Sequence, residues 1–240
     1  MGFRIGLVLM AASAIQAQVA QIGRGVNLYS PAKEAALGVA LAEDIRRTST
    51  PLDSAVVRDY VEAIGARLAA QLPQQPSVRF TFEVVAGGDS PVEPISLPGG
   101  PIFVQTGLIL SSGNEAEFAG ALAHAIAHVA ARHATRTASR AEIAQQTAAA
   151  LPDGNFPGVG FLQFPRGFEL EADVIAVNIA AAAGFDPNGL ASYISRVQND
   201  ATDRVFRIQR AIAALPQRSY ASSTEFARIQ EEVRRLSAPK

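Results

Sequence analysis

Apolar positions recur along this chain mostly at helical spacing, with a short block of strand-like alternation before the midpoint. Ser30-Pro31 places an N-cap residue ahead of proline at a first helical position, and Ala35, Leu37, Val39 and Leu41 fall within the helix it opens. Over residues 53–72, Val56, Val57, Tyr60, Val61, Ile64 and Leu68 share one broad helical face, and Pro73 and Pro76 end it. Residues 78–85 alternate as a strand with Val78, Phe80, Phe82 and Val84 on one side, bounded by Gly87-Gly88. Ile95-Ser96-Leu97 and Ile102-Phe103-Val104 flank Pro98-Gly99-Gly100-Pro101, a turn signal that predicts a short hairpin.

Asn114 followed by Glu117 is a capping-box variant, so a helix starts there, with Leu122, Ile126 and Val129 burying one side. The helical pattern resumes at Glu169 and runs to Gly184, a C-cap residue. Asp186-Pro187 opens another helix, and two more lie near residues 202–215 and 224–236. Residues 151–168 interrupt the pattern with three Pro, four Gly and four Phe. Such a stretch is too broken for a helix and too apolar for a free linker, so it either covers a groove or packs on the core. The expected class is α+β, mostly helical, with a small sheet and no internal repeat.

The first residues read as a secretory signal. Arg4 supplies a positive n-region, residues 5–15 are apolar apart from Gly6 and Ser13, and small residues allow cleavage after Ala14 or Ala17. Eleven residues are too few for a bilayer core, which needs about 20 in helix. The alternative is a buried N-terminal helix. The signal reading divides the chain into a leader over 1–17 and one domain over 18–240, exported to the periplasm or secreted, and soluble or peripheral to a membrane.

Composition narrows the function. Hydrophobic residues are 48% and charged residues 18% of the 240, which suits a globular domain. Lys plus Arg is 21 against 22 Asp plus Glu, so the basic excess of a nucleic-acid binder is missing. With no cysteine, disulfide scaffolds, thiolate catalysis and all-Cys metal sites are excluded. The chain has only 3 histidines, His124, His128 and His133, and all fall within ten residues.

His124 and His128 are four apart and project from nearly the same helix face, within reach of one cation such as zinc. His133, nine residues after His124, falls roughly half a turn round on a continuous helix, where it reads as a polar or capping side chain near Arg132 and Arg136. An open zinc site needs a third protein ligand, and Glu169 is the best candidate. Glu169 and Asp173 are also four apart, so one can bind metal while the other accepts a ring N–H from a ligand histidine. Each acid also suits an ordinary helix start. Glu171 falls on a different face and is expected in solvent.

These motifs, in this order, resemble those of the family-48 metallopeptidases, gluzincins that include the CAAX prenyl proteases and an exported bacterial branch. Asn114-Glu115-Ala116-Glu117 leading to His124 and His128 resembles their active-site helix, and Glu169 to Asp173 resembles their E-x-x-x-D. Leu97-Pro98-Gly99-Gly100 resembles the preceding hairpin, and Ala182-Ala183-Gly184-Phe185-Asp186-Pro187 the continuation after the acidic motif. The resemblance covers about residues 30 to 200. It implies a zincin-like fold, one zinc per chain held by His124, His128 and Glu169, Asp173 behind the ligands, and a polypeptide substrate or client lying along the hairpin edge by strand addition.

The chain departs from the family at one position. The family's H-E-x-x-H has a glutamate directly after the first histidine, where this chain has Ala125. That glutamate takes a proton from the attacking water and passes it to the leaving amine, and losing a positioned general base costs on the order of 10²–10⁴ in rate. No intact general base is therefore expected, because Glu115 and Glu117 lie more than a turn away. No histidine follows His133 to steady an oxyanion, leaving Arg196, Arg204 and Arg210 as cations that could. The expectation is an exported zinc metalloendopeptidase homologue with weak or absent hydrolysis. The alternative is a zinc-binding pseudopeptidase with a polypeptide-binding or chaperone-like role.

Overall fold

The computed structural model describes residues 22–73, 78–87, 92–149, 164–220 and 223–237; the side chains of 145–149 are not among them. The proposed leader and most of the Phe-rich stretch lie outside the described residues. Nine helices and three strands are described: α1 (Pro31–Thr48), α2 (Ala55–Ala69), β1 (Thr81–Val85), β2 (Ile95–Ser96), β3 (Pro101–Gln105), α3 (Thr106–Ser111), α4 (Glu115–Ala130), α5 (His133–Ala149), α6 (Arg166–Ala182), α7 (Asn188–Val197), α8 (Thr202–Ala213) and α9 (Glu225–Ser237). This is the mostly helical α+β arrangement of a zincin-like fold.

The caps lie where the sequence places them. Ser30 Oγ accepts the Lys33 N–H ahead of Pro31, and Asn114 Oδ1 accepts the Glu117 N–H at 3.0 Å. Glu117 reaches back in turn to accept the N–H of Gly113, the residue before the cap, at 2.7 Å. Gly184, at φ +84, closes α6. Strand β3 is central, parallel to β1 and antiparallel to β2, in the order β1-β3-β2. The expected hairpin pairs Ile95 with Phe103 and Ser96 with Ile102, leaving β2 as an edge. Gly99 and Gly100 turn it at φ +77 and +122, where a side chain would be strained. The first strand is shorter than its alternation predicts, beginning at Thr81, with Phe82 and Val84 buried as expected.

Helix α4 differs most from expectation. Instead of an amphipathic helix with one wet side, every residue from Glu117 to Val129 is buried. It packs most extensively against α6 and α7, with α2 also against it. Its alanines between Glu117 and Val129, and Ala172 and Ala176 of α6, are buried. The contact with α7 is close: a Cβ on Gly189 would fall 2.0 Å from the Ala116 carbonyl oxygen, and one on Gly120 would fall 2.6 Å from the Leu190 nitrogen. Beyond it, Phe118 stacks on Phe226 of α9 at 5.5 Å between centroids, and Tyr60 of α2 joins them. No helix of the described residues is long and apolar enough to cross a membrane.

Two helices lacked any sequence forecast. α3 follows β3 without a break. α5 begins directly after a two-residue interruption of the His-bearing helix, where Arg132 adopts φ +57. Because a left-handed residue costs roughly 1–2 kcal/mol, something must hold it. Arg132 Nε donates to the buried Glu34 of α1 at 2.5 Å, its Nη2 donates to the Tyr29 carbonyl at 2.6 Å, and Thr135 Oγ1 donates to Glu34 at 2.7 Å.

The close approach of α4 and α7 gives a direct test. Gly189→Ala must push the two backbones apart and is expected to lower the unfolding free energy by about 1–3 kcal/mol, the usual cost of overpacking. Urea denaturation of the two proteins measures it.

Candidate metal centre

The one-turn spacing on α4 brings His124 and His128 together with their Nε2 atoms 2.9 Å apart. The first turn of α6 presents Glu169 to both, with Oε2 3.3 Å from His124 Nε2 and Oε1 3.6 Å from His128 Nε2. Ligand atoms of these three residues all lie within 4.8 Å of one another. A tetrahedral zinc with bonds of about 2.0–2.1 Å requires donors about 3.3 Å apart, so the triad fits such an ion with slight adjustment.

One turn further along α6, Asp173 Oδ1 sits 2.9 Å from His124 Nδ1. A carboxylate only accepts, so the ring proton of neutral His124 resides on Nδ1 and leaves the Nε2 lone pair facing the triad. Asp173 is itself buried and takes two further hydrogen bonds, from Arg204 Nε and Nη2 of α8, both at 2.8 Å. Of the three candidate arginines, Arg204 reaches the site, with Nη2 3.3 Å from His124 Nε2 and 3.5 Å from Glu169. Arg196 instead pairs with Glu117, and Arg210 is exposed. Glu115 accepts from Tyr60 at 2.6 Å. Both acids at the helix start are thus engaged in the scaffold.

The electrostatics favour a positive charge between the histidines. Burial alone would lower the His124 pKa, but hydrogen bonds to Asp173 and Glu169 outweigh it and push it up to about 10. His128 is held low by burial and by the charges of His124, His133 and Arg204. Their Nε2 atoms, 2.9 Å apart, thus favour a cation between them, and two imidazoles with a carboxylate are a donor set that suits zinc.

Two expectations are corrected here. His133 does not point away as a capping group. The break at Ala131 and Arg132 turns the chain back, so that His133 Nδ1 lies 2.9 Å from His128 Nδ1, fully buried. Nor is Glu171 a solvated side chain. Its carboxylate receives His133 Nε2 and Arg136 Nη1, each at 3.1 Å, and the Gly23 N–H at 3.1 Å. Extending one helix through 124–133 misplaced the first, and Glu171's partners on α5 and near residue 23 had no local signature.

Ala125 lines a cavity of about 220 Å³ beside the triad, with Glu93 and the edge residues Ile95 and Ser96 across from it. Phe164, the first described residue after the masked part of the Phe-rich stretch, stacks on His128 at 4.1 Å and lines the same cavity. Phe168 stacks on His133 at 4.4 Å, with the Arg136 and Arg140 guanidinium groups 4.3 Å from its ring. The described end of that stretch thus rests on the histidines.

With this geometry in place, the comparisons with known proteins converge. The model of Peptidase family M48 matches residues 56–227, well over half the chain, and the chain belongs to that family. It is therefore a metallopeptidase-like protein of a zinc-dependent family. It is 24% identical over 189 residues to the beta-barrel assembly-enhancing protease of Yersinia pestis, covering 69% of this chain and 37% of that protein. To the putative beta-barrel assembly-enhancing protease of Vibrio cholerae serotype O1 it is 27% identical over 188 residues, covering 70% and 38% respectively. The chain spans less than two fifths of the length of these relatives.

Acid should expose the carboxylates that hold the site. Burial would raise Glu171, but His133, the Gly23 N–H and Arg136 outweigh it and hold it down at about 2, against an ordinary 4.5. Asp173 is likewise lowered, by Arg204 and His124 against burial. Charged carboxylates that are favoured in the fold contribute fully above their unfolded pKa and lose that contribution as pH falls toward the folded one. In metal-free protein, the Glu171 contribution should therefore decline from pH 4.5 toward 2. Glu171→Gln should flatten this part of the urea-denaturation profile.

Proposed function

We propose that this protein is an exported zinc-binding member of the family that receives polypeptide in the groove beside its metal centre, with weak or absent hydrolysis as the chain stands. The observation that carries this reading is that His124, His128 and Glu169 converge at donor spacing on a cavity whose wall, where the family has its general base, is Ala125. When bound, zinc would polarise a carbonyl and make water more acidic. His124, His128 and Glu169 would hold it, with Asp173 orienting His124 from behind. The edge strand β2 lines the same cavity, so an extended peptide can add to its free side with backbone hydrogen bonds. Arg204 supplies the cation nearest to charge developing on the peptide oxygen.

Proton transfer is what the chain lacks. A carboxylate must take a proton from the attacking water and return it to the departing nitrogen, and Ala125 has no group to do so. Glu115, Glu117, Glu171 and Asp173 are engaged with Tyr60, Arg196, His133 and Arg204 respectively, and Glu93 on the cavity wall is held by Gln198 and Arg204. A purely binding role, with polypeptide held and not cut, follows from the same observation. The relatives are beta-barrel assembly-enhancing proteases, which makes unfolded polypeptide the client class to test. The division into a leader over 1–17 and one domain over 18–240, and delivery to the periplasm or medium, complete the proposal.

Three outcomes are expected. Purified protein should carry about one zinc per chain by elemental analysis, with His124→Ala abolishing binding, because an open site needs its three protein ligands. Absence of zinc and no uptake on titration would remove the metal from the proposal. Ala125→Glu should raise casein hydrolysis at least about tenfold, given the usual 10²–10⁴ worth of a general base. Efficient, chelator-sensitive cleavage by the unaltered chain would show that another base exists. Mass spectrometry of exported protein should find a new N-terminus near Ile15 or Gln18, and retention of Met1 or Gly2 would refute processing.

A further inference from the structure

His128 has two ring nitrogens, and the metal reading uses only Nε2. Its Nδ1 faces the Nδ1 of His133 at 2.9 Å, and the other nitrogen of His133 faces a Glu171 carboxylate oxygen at 3.1 Å. Three groups therefore stand in line: carboxylate, imidazole, imidazole. The first can only accept, so a neutral His133 must keep its proton on Nε2. Its Nδ1 is then an acceptor, and the contact with His128 is made only if His128 carries its proton on Nδ1. That leaves the Nε2 of His128 bare and aimed at His124 and Glu169, the state a metal ligand requires.

We propose that Glu171 and His133 are positioning residues that set the tautomer and ring orientation of His128, as Asp173 does for His124. The surroundings hold this line rigid. His133 is fully buried and stacked on Phe168 with ring planes 9° apart. The Gly23 N–H donates to the other carboxylate oxygen of Glu171, and Arg136 Nη1 donates to the same oxygen that faces His133. The turn that presents His133 depends on Arg132, held by Glu34 of α1. The two ligand histidines are thus oriented by two carboxylates of one helix, Asp173 directly and Glu171 through a relay imidazole. This inference rests on the reading of His124, His128 and Glu169 as zinc ligands, but the tautomers can be examined without metal.

The test uses the full chain. Zinc affinity is measured by competition with a chromogenic chelator for the unaltered protein, His133→Phe and His133→Asn. Phenylalanine keeps the stacking ring but removes the acceptor, whereas the Asn oxygen can replace Nδ1. His133→Phe should bind zinc 10–100-fold more weakly and His133→Asn within about threefold of the unaltered protein, the range for outer partners of metal ligands. Unchanged affinity in His133→Phe, or equal loss in both variants, would overturn the proposal, the second by showing a merely structural role. A second measurement decides if a variant fails to fold. With only 3 histidines, long-range proton–nitrogen correlation spectra of metal-free, unaltered protein resolve each ring. Protons on Nδ1 of His128 and Nε2 of His133 support the relay, and a bare Nδ1 on His128 refutes it. If the unaltered chain takes up no zinc, the ligand reading fails, while these spectra still judge the relay.

Discussion

Burial of α4 on every side is the constraint from which the rest of the structure follows. A dry helix has no solvent to satisfy its polar side chains, so each must find a partner within the protein or destabilise the fold. Glu117 meets Gly113, Ser192 and Arg196; His124 meets Asp173; His128 meets His133. These pairings require α6, α7 and α5 to pack around α4 in specific registers. The small residues at the contacts make that packing close enough to bring the partners within hydrogen-bond distance.

The same constraint gives the centre its chemical character. Outer ring nitrogens committed to acceptors leave inner nitrogens facing one another and Glu169 at donor spacing, an arrangement that needs a positive charge between them. Burial strengthens every interaction there and makes an unpaired group costly. The scaffold of the candidate metal site thus consists of residues that are difficult to change singly. Ala125 stands apart, because an alanine at the wall of a cavity leaves nothing unsatisfied. The packing accepts an alanine at this position without penalty.

Sequence by itself determined whatever depends on spacing within one element. The Ser30 and Asn114 caps, the Pro-Gly-Gly-Pro hairpin, the His124–His128 pair and the Glu169–Asp173 pair are intrahelical or single-turn relations, and local backbone geometry holds them at predictable distances. The motif order was enough to place the chain in its family. Only the tertiary structure decided the rest. The direction of His133 depends on a left-handed Arg132 held by Glu34, 98 residues earlier in the chain, and no spacing rule reaches that far. Selecting Arg204 over Arg210 required knowing which side of α8 faces α6, and Arg196 of α7 is taken up by Glu117. Glu171 appeared solvated because its partners come from α5 and from Gly23. Periodicity sees one element at a time, whereas the burial that gives these polar residues their roles is a property of several elements packed together.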